Sequence, residues 1–345
     1  MCAQKKEVFS LPKLSGYAIG QYQYSGKYNS ESNTFSLRMV RLSLDGRILN
    51  DFAYKLQGQV NGNTTTLGES PRIVDVFIEW QKYDFIKIKV GQFKRPFTFE
   101  NPMNPIDQGF MSYAQNVTNL SGFNDRTGEH SSNGRDIGIQ LQGDLLKIKE
   151  GRALLHYQIG VFNGQGINTK DVDNQKDIIG GVWVMPISGM RLGAFGWTGS
   201  YARKDNNGIK SLSKRRYAIS CEYVTNDWTF RSEYIHSTGY GFKTVYNDKT
   251  NLSETEVDYE KGNKADGFYA LAIAPIIKNK FHVKARYDMY RPSAEWNNSK
   301  TYYEIGADYE FVKNLKISAE YILVNDRSLE KHNYSMIDTQ LSFRF

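Results

Sequence analysis

The chain of 345 residues carries 44 Lys and Arg against 37 Asp and Glu, giving a formal net charge of +7 and a pI near 9.0. No stretch approaches the roughly 18 uninterrupted apolar residues of a spanning helix, which excludes a helical membrane protein. The basic residues are interspersed with acids, which argues against a nucleic-acid partner, and two cysteines, Cys2 and Cys221, are too few for a disulfide framework or a CxxC metal site.

From the amino end, Met1-Cys2-Ala3-Gln4 reads as the remnant of a secretory signal whose apolar stretch is absent, so residues 1–14 are expected to be an N-terminal periplasmic extension of a trimmed chain. From residue 15 onward apolar and polar residues alternate with period 2, the pattern of strands with one apolar face. The alternation predicts about sixteen strands, near 15–25, 35–45, 52–61, 73–82, 85–92, 135–145, 152–162, 177–187, 190–201, 214–224, 227–237, 266–276, 280–290, 301–311, 314–324 and 335–345. Most have the 9 to 11 residues that a tilted strand needs to cross a bilayer.

Connections alternate short and long. Tight turns rich in Asn, Asp, Gly and Pro are expected at 81–84, 186–189, 224–227 and 311–314. Long polar connections are expected at 25–34, 62–72, 93–134, 163–176, 202–213, 238–265, 291–300 and 325–334. This rhythm is that of an all-β, transmembrane, antiparallel up-and-down β-barrel, in which periplasmic termini put every long loop outside the cell. The 23 Tyr and 19 Phe suit aromatic belts at the two interfaces.

The pattern also separates the faces. Outward rows include Ile86, Ile88 and Val90, then Ile137, Ile139 and Leu141, then Leu155, Tyr157, Ile159 and Val161, then Phe281, Val283, Ala285 and Tyr287. Their neighbours, among them Lys87, Lys89, Gln140, His156, Gln158, Lys284, Arg286, Glu304 and Asp308, turn to the lumen. So many charges do not pack as a dry core, because unpaired buried ions are costly, and the interior is expected to hold water. The chain ends on Phe345, after the apolar row Ile337, Leu341 and Phe343.

Val90-Gly91-Gln92-Phe93-Lys94-Arg95-Pro96-Phe97 with Glu100-Asn101, then Gly134-Arg135-Asp136-Ile137-Gly138, then Gly160-Val161-Phe162-Asn163-Gly164 with Lys176-Asp177, resemble the phosphate-selective porin O/P family of Gram-negative outer membranes in order and spacing. The early run Arg38-Met39-Val40-Arg41-Leu42 and the terminal Phe345 fit as well. The resemblance covers most of the first half, whereas the second half matches in strand rhythm alone.

It implies a sixteen-stranded homotrimeric porin in the cell outer membrane, whose third loop, about 93–134, folds inward as a constriction. Its partners are then small hydrophilic solutes, inorganic anions such as phosphate, membrane lipid and lipopolysaccharide. The anion-contacting candidates are Lys94 and Arg95 at the root of that loop, with Arg41, Lys87, Lys89, Arg135, Arg231, Lys284 and Arg286 along the lumen. Arg engages an oxyanion bidentately and Lys acts as a point charge. Acids such as Asp75, Glu79, Glu222, Glu233, Asp288, Glu304, Asp308, Glu310 and Glu320 are interleaved with them. That mixture departs from a purely basic ladder and points to a diffusion pore with mild anion preference.

Other chemistry has less support. His130, His156, His236, His282 and His332 show no metal-ligand spacing, no GxSxG is present, and no cofactor motif is complete. Residues 189–196 only loosely resemble a dinucleotide loop, because no helical pattern follows. Carboxylate pairs such as Glu304 with Asp308 are to be weighed for an outer-membrane or secreted hydrolase of the glycosidase kind. An adhesin barrel gripping ligand through 93–134 and 238–265 is the other alternative class.

Overall fold

In a computed structural model the described residues are 10–61, 71–124, 132–249 and 252–345. Among them are β1 (Lys13–Ser25), β2 (Ser32–Ile48), β3 (Phe52–Gln59), β4 (Arg72–Tyr83), β5 (Ile86–Lys94), α1 (Gln115–Leu120), β6 (Arg135–Lys147), β7 (Ala153–Phe162), β8 (Asp177–Val184), β9 (Met190–Asp205) and β10 (Gly208–Thr225). There follow β11 (Trp228–Thr238), β12 (Gly241–Asn247), β13 (Leu252–Asp258), β14 (Lys264–Ile277), β15 (Phe281–Arg291), β16 (Lys300–Val312), β17 (Leu315–Asp326) and β18 (Asn333–Arg344). All except β12 and β13 pair with their neighbours in one antiparallel sheet, and β1 pairs with β18, so sixteen strands close a barrel without a free edge.

Closure is completed at the carboxyl end, where the amide of Gly16 donates to the Phe345 carbonyl at 2.9 Å and the amide of Phe345 donates to the Gly16 carbonyl at 3.0 Å. Lys13 at the start of β1 and Phe345 lie at the rim of the short turns, while the longer connections gather at the opposite, loop rim. The expected facing holds. Ile139, Ile159, Val283 and Ile305 are 47%, 49%, 38% and 62% exposed, whereas Gln140, Gln158, Lys284 and Glu304 are 4%, 8%, 5% and 3% exposed. The exposed rows form the apolar band that lipid covers.

Three expected connections are different. The segment 202–213 is mostly strand, since β9 and β10 extend together to a tip at 206–207. Within 238–265, β12 and β13 pair as a separate two-stranded sheet. The connection 25–34 is shorter than expected, because β2 begins at Ser32, and β1 begins at Lys13, inside the segment expected to be an extension. Met1, Cys2, Ala3, Gln4 and His130 lie outside the described residues, as do 62–70 within the second long connection.

Part of the interior expected to hold water is instead packed. Phe97, Phe99, Phe110, Val117, Leu120 and Phe123, all from the segment between β5 and β6, pack with inward Phe162, Ile179, Phe195, Trp197, Ala218, Ile235, Tyr269 and Leu271 as one apolar cluster. Burial of these rings in contact with one another removes apolar area from water inside the barrel itself.

Two outcomes test this architecture. Lys at Ile139 or Ile159 is expected to destabilise the folded barrel by ~2–4 kcal/mol near the bilayer midplane, and the same change at inward Gln142 by far less, read as shifts in urea unfolding in lipid vesicles; equal costs contradict the facing. Deleting Phe345 removes both closing hydrogen bonds and is expected to lower the yield of heat-modifiable barrel in the membrane fraction, whereas a normal yield contradicts the role of the closure.

Candidate functional site: the barrel interior

The interior is organised by the loop from 95 to 134. It enters through a backbone that the sequence makes possible with glycine. Gly91 has φ +134°, and a Cβ there would lie 2.1 Å from the Val76 carbonyl; Gly134, at φ +71°, would strike the Asn101 carboxamide at 2.2 Å. The glycines of both family-like motifs therefore serve the loop's entry and exit.

Inside a barrel wall the loop's amides and carbonyls need partners, since an unpaired buried backbone group costs as much as a lost hydrogen bond. Wall side chains provide them. The amides of Phe99 and Glu100 donate to Glu233 at 2.7 and 3.0 Å, that of Met111 to Glu320 at 2.9 Å, and that of Gln115 to Asp288 at 2.9 Å. In the other direction Arg231 donates to the Gln108 carbonyl (3.1 Å), Lys284 to Gly109 (2.9 Å), Arg286 to Ser112 (2.9 Å) and Arg216 to Leu120 (2.7 Å). Arg38 reaches the Met111 carbonyl from β2.

Each of the nine sequence candidates can now be placed. Lys94 donates to the carbonyls of Asn101 (2.7 Å) and Met103 (2.9 Å) and to the Tyr113 hydroxyl (2.8 Å). Burial pushes the Tyr113 hydroxyl well above the ordinary tyrosine value, so it remains a neutral donor to Met103. Arg95 is buried against Asp136 at 2.8 Å and also holds the Gly122 carbonyl at 2.8 Å. The two residues thus bind the loop's root from within.

Arg231 pairs with Glu222 at 2.6 Å, Arg286 with Glu304 at 2.9 Å, and Lys284 with Asp308 at 2.8 Å and Glu320 at 2.7 Å. Those three cations are matched by carboxylates and also hold the loop. The pair Glu304 and Asp308, weighed above for hydrolysis, is bound up in the same contacts.

Arg41 and Arg135 lie on the other wall. By strand register Tyr17, Arg41, Gln59 and Arg72 form one row across β1 to β4. Arg41 donates to the Tyr17 hydroxyl at 3.1 Å, and Arg135 grips Asp75 bidentately at 2.7 and 2.9 Å. Arg72 lies within the field of both Arg41 and Arg135, and its Nε and Nη2 meet no hydrogen-bond partner among the described residues. Nearer the turn rim, Lys87 and Lys89 contact Asp144 and Glu79 at 3.6 and 3.8 Å, looser than the pairs above, and keep 24% and 19% side-chain exposure. Among the described residues no cluster of His, Cys, Asp and Glu has a metal-binding arrangement.

Sequence reasoning missed Arg72, the row around it and the apolar packing of the loop. The phenylalanines at 97, 99, 110 and 123 carried a signal for the packing, being out of place in a loop read as polar.

With this geometry in view, comparison with known proteins is decisive for the family. The profile described as phosphate-selective porin O and P matches residues 15–227. The chain belongs to that family. The porin also shares its fold with solved structures: an anion-selective porin from Comamonas acidovorans (12% identity, 97% of this chain and 99% of that one, TM-score 0.67), OmpF of Salmonella typhi in complex with daunomycin (15%, 97% of both chains, TM-score 0.66) and the outer-membrane channel DcaP of Acinetobacter baumannii (13%, 97% of both chains, TM-score 0.60). No protein with a curated description matches it in sequence. The chain is an outer-membrane channel for small hydrophilic solutes and ions.

The buried pair at the loop's root gives a direct test. Arg95→Met leaves Asp136 without its counter-ion and is expected to cost about 3–5 kcal/mol in urea unfolding of the folded barrel. A loss below about 1 kcal/mol, the range of an exposed pair, contradicts the placement of this contact in the loop's anchorage.

Proposed function

We propose that this porin passes small solutes with a mild preference for anions, and that the preference resides on the β2–β6 wall. The observation that carries the reading is the unequal charge of the two walls. Setting aside the pairs Arg95–Asp136 and Lys55–Asp45, the inward cations Arg38, Arg41, Arg72, Lys87, Lys89, Lys94 and Arg135 stand against Asp75, Glu79 and Asp144. On the opposite wall Asp177, Glu222, Glu233, Asp288, Glu304, Asp308, Glu320 and Asp338 accompany Arg191, Lys214, Arg216, Arg231, Lys284, Arg286 and Lys316, so that acids and bases nearly balance there.

Low-dielectric walls focus such a field, so buried cations act on a passing ion without touching it. Contact falls to Lys87 and Lys89, which are partly exposed and loosely paired, and to half-buried Arg72, while Arg41 and Lys94 supply potential from behind them and Arg135 is matched by Asp75. Arg231, Lys284 and Arg286 contribute little, because their carboxylate partners cancel them. Divalent phosphate competes modestly in this reading, since Glu79 and Asp144 flank the track. No catalytic step is assigned: the carboxylates weighed for one are held in ion pairs.

The short turns, with the start of β1 and Phe345, face the periplasm and the loop rim faces outward, where outer-leaflet lipopolysaccharide meets the barrel. Assembly as a homotrimer is part of the same proposal, and a solved relative in fold, OmpT of Vibrio cholerae, is described in a trimer form.

Reversal potentials in a potassium chloride gradient test the selectivity. The wild type is expected to favour chloride, Lys87→Gln with Lys89→Gln to bring the permeability ratio close to unity, and Arg286→Gln with Glu304→Gln to leave it unchanged. Salt should weaken the preference as the Debye length falls from about 10 Å at 0.1 M to about 3 Å at 1 M. A wild type selective for cations, or a ratio unmoved by the lysine substitutions, overturns the proposal.

A further inference from the structure

The loop's fastenings differ in kind. Glu320 holds the Met111 amide while itself paired with Lys284. Glu233 and Glu100 have no such partner. Glu233, fully buried on β11, accepts the Phe99 and Glu100 amides through Oε1, and Glu100, buried on the loop, accepts the Ala114 amide at 2.9 Å through Oε1. Neither carboxylate forms an ion pair among the described residues, and the Oε2 atom of each is buried there without a hydrogen-bond partner.

The surroundings explain why the arrangement is precarious. Glu100 and Glu233 lie within each other's field, so two like charges share one dry site. Arg231, the cation beside them on β11, donates instead to Glu222 at 2.6 Å and to the Gln108 carbonyl. Tyr269 on β14 sets its phenol within the field of both, and on β15 Arg286 is held by Glu304 while Asp288, which takes the Gln115 amide through Oδ2, likewise lacks an ion pair and buries its Oδ1 without a partner among the described residues. Lys94 on β5, also within the field of Glu100, is occupied by two carbonyls and Tyr113. A buried carboxylate without its own counter-ion is relieved by taking up a proton, and the proton removes the charge that strengthens its bonds to amides.

We propose that Glu233 and Glu100 form an acid-released latch that fixes the entering limb of the loop, residues 97–101 and the turn before α1, to the barrel wall. In neutral medium the two carboxylates hold the Phe99, Glu100 and Ala114 amides. In acid a proton taken up by this pair relieves the like charge at the site, the amide bonds lose their charge assistance, and this limb detaches. The rest of the loop keeps its anchorage through Phe110, Val117 and Leu120 in the apolar cluster and through Lys284 and Arg286. Acid therefore produces repeated partial closures of the channel while the barrel stays folded.

The test compares single-channel recordings of the full chain in planar bilayers at pH 7 and at pH 4, close to the ordinary carboxylate range. The wild type is expected to spend at least about tenfold more time in reduced-conductance states in acid, the factor carried by the loss of one charge-assisted hydrogen bond. Glu233→Gln is expected to show that behaviour already at pH 7 and to respond little to further acid, whereas Glu310→Gln, on β16 beside the 311–314 turn and away from the loop, keeps the wild-type response. Hydrogen exchange of the wild type gives a readout that requires no variant. Corrected for intrinsic rates, protection of the Phe99, Glu100 and Ala114 amides is expected to fall at pH 4 while that of β11 persists. A wild type with equal dwell times at both pH values, a Glu233→Gln response like that of the wild type, or unchanged protection of the three amides overturns the latch. A channel that fails to favour chloride bears on the selectivity proposal alone.

Discussion

A closed barrel that takes one of its own loops inside must satisfy that loop's backbone without bulk water, and the interior of this porin follows from that constraint. Among the described residues of the loop, helical structure is limited to α1, whose six residues leave most amides and carbonyls without helical partners. The wall therefore presents carboxylates to amides and cations to carbonyls. Because both kinds of side chain are then held close together, they also pair with one another, and the contacts become a network whose members depend on their neighbours.

This changes what a basic residue in the lumen means. Arg231, Lys284 and Arg286 face inward as the alternation requires, yet each meets a carboxylate within 2.9 Å and a loop carbonyl within 3.1 Å. Lys94 and Arg95 have the charge expected of a constriction and use it to hold the loop's root. Counting lumen charges by sign thus overstates the number that a passing ion meets. The remaining asymmetry lies on the β2–β6 wall, where cations outnumber acids and where Arg72, Lys87 and Lys89 keep partial exposure.

The strands were legible wherever one face meets lipid and the other polar side chains. The span expected at 314–324 is Leu315–Asp326, and Ile139, Ile159 and Val283 point outward as the alternation requires. Legibility ended with the membrane. Beyond it the extensions of β9 and β10, with β12 and β13, are no longer sorted into a lipid face and a lumen face, so Ser211, Ser213, Lys243 and Glu254 leave no apolar row to read. Arg72 was hidden by a register shift between Gln57 and Gly58, which places Asp75 and Ile73 opposite them, leaves Val74 as an extra residue, and reverses the facing beyond it. The loop's fastenings join residues such as Phe99 and Glu233, or Met111 and Glu320, that lie 134 and 209 positions apart. No local pattern carries a pairing of that length, although the phenylalanines of the loop announced that it would bury apolar surface.

The division of the interior into a side packed by the loop and a side left to solutes is open to direct measurement. Single cysteines at Lys89, at Gln142, at Ala218 and at Ile235, in a chain whose Cys2 and Cys221 are replaced by serine, can be exposed to a charged, water-soluble thiol reagent during single-channel recording. The first two positions face the side left to solutes, and reaction there is expected to lower the conductance; the last two lie in the apolar cluster and are expected to remain unmodified. Rapid modification of Ala218→Cys and Ile235→Cys, with Lys89→Cys and Gln142→Cys inert, contradicts the placement of the channel along the β2–β6 wall.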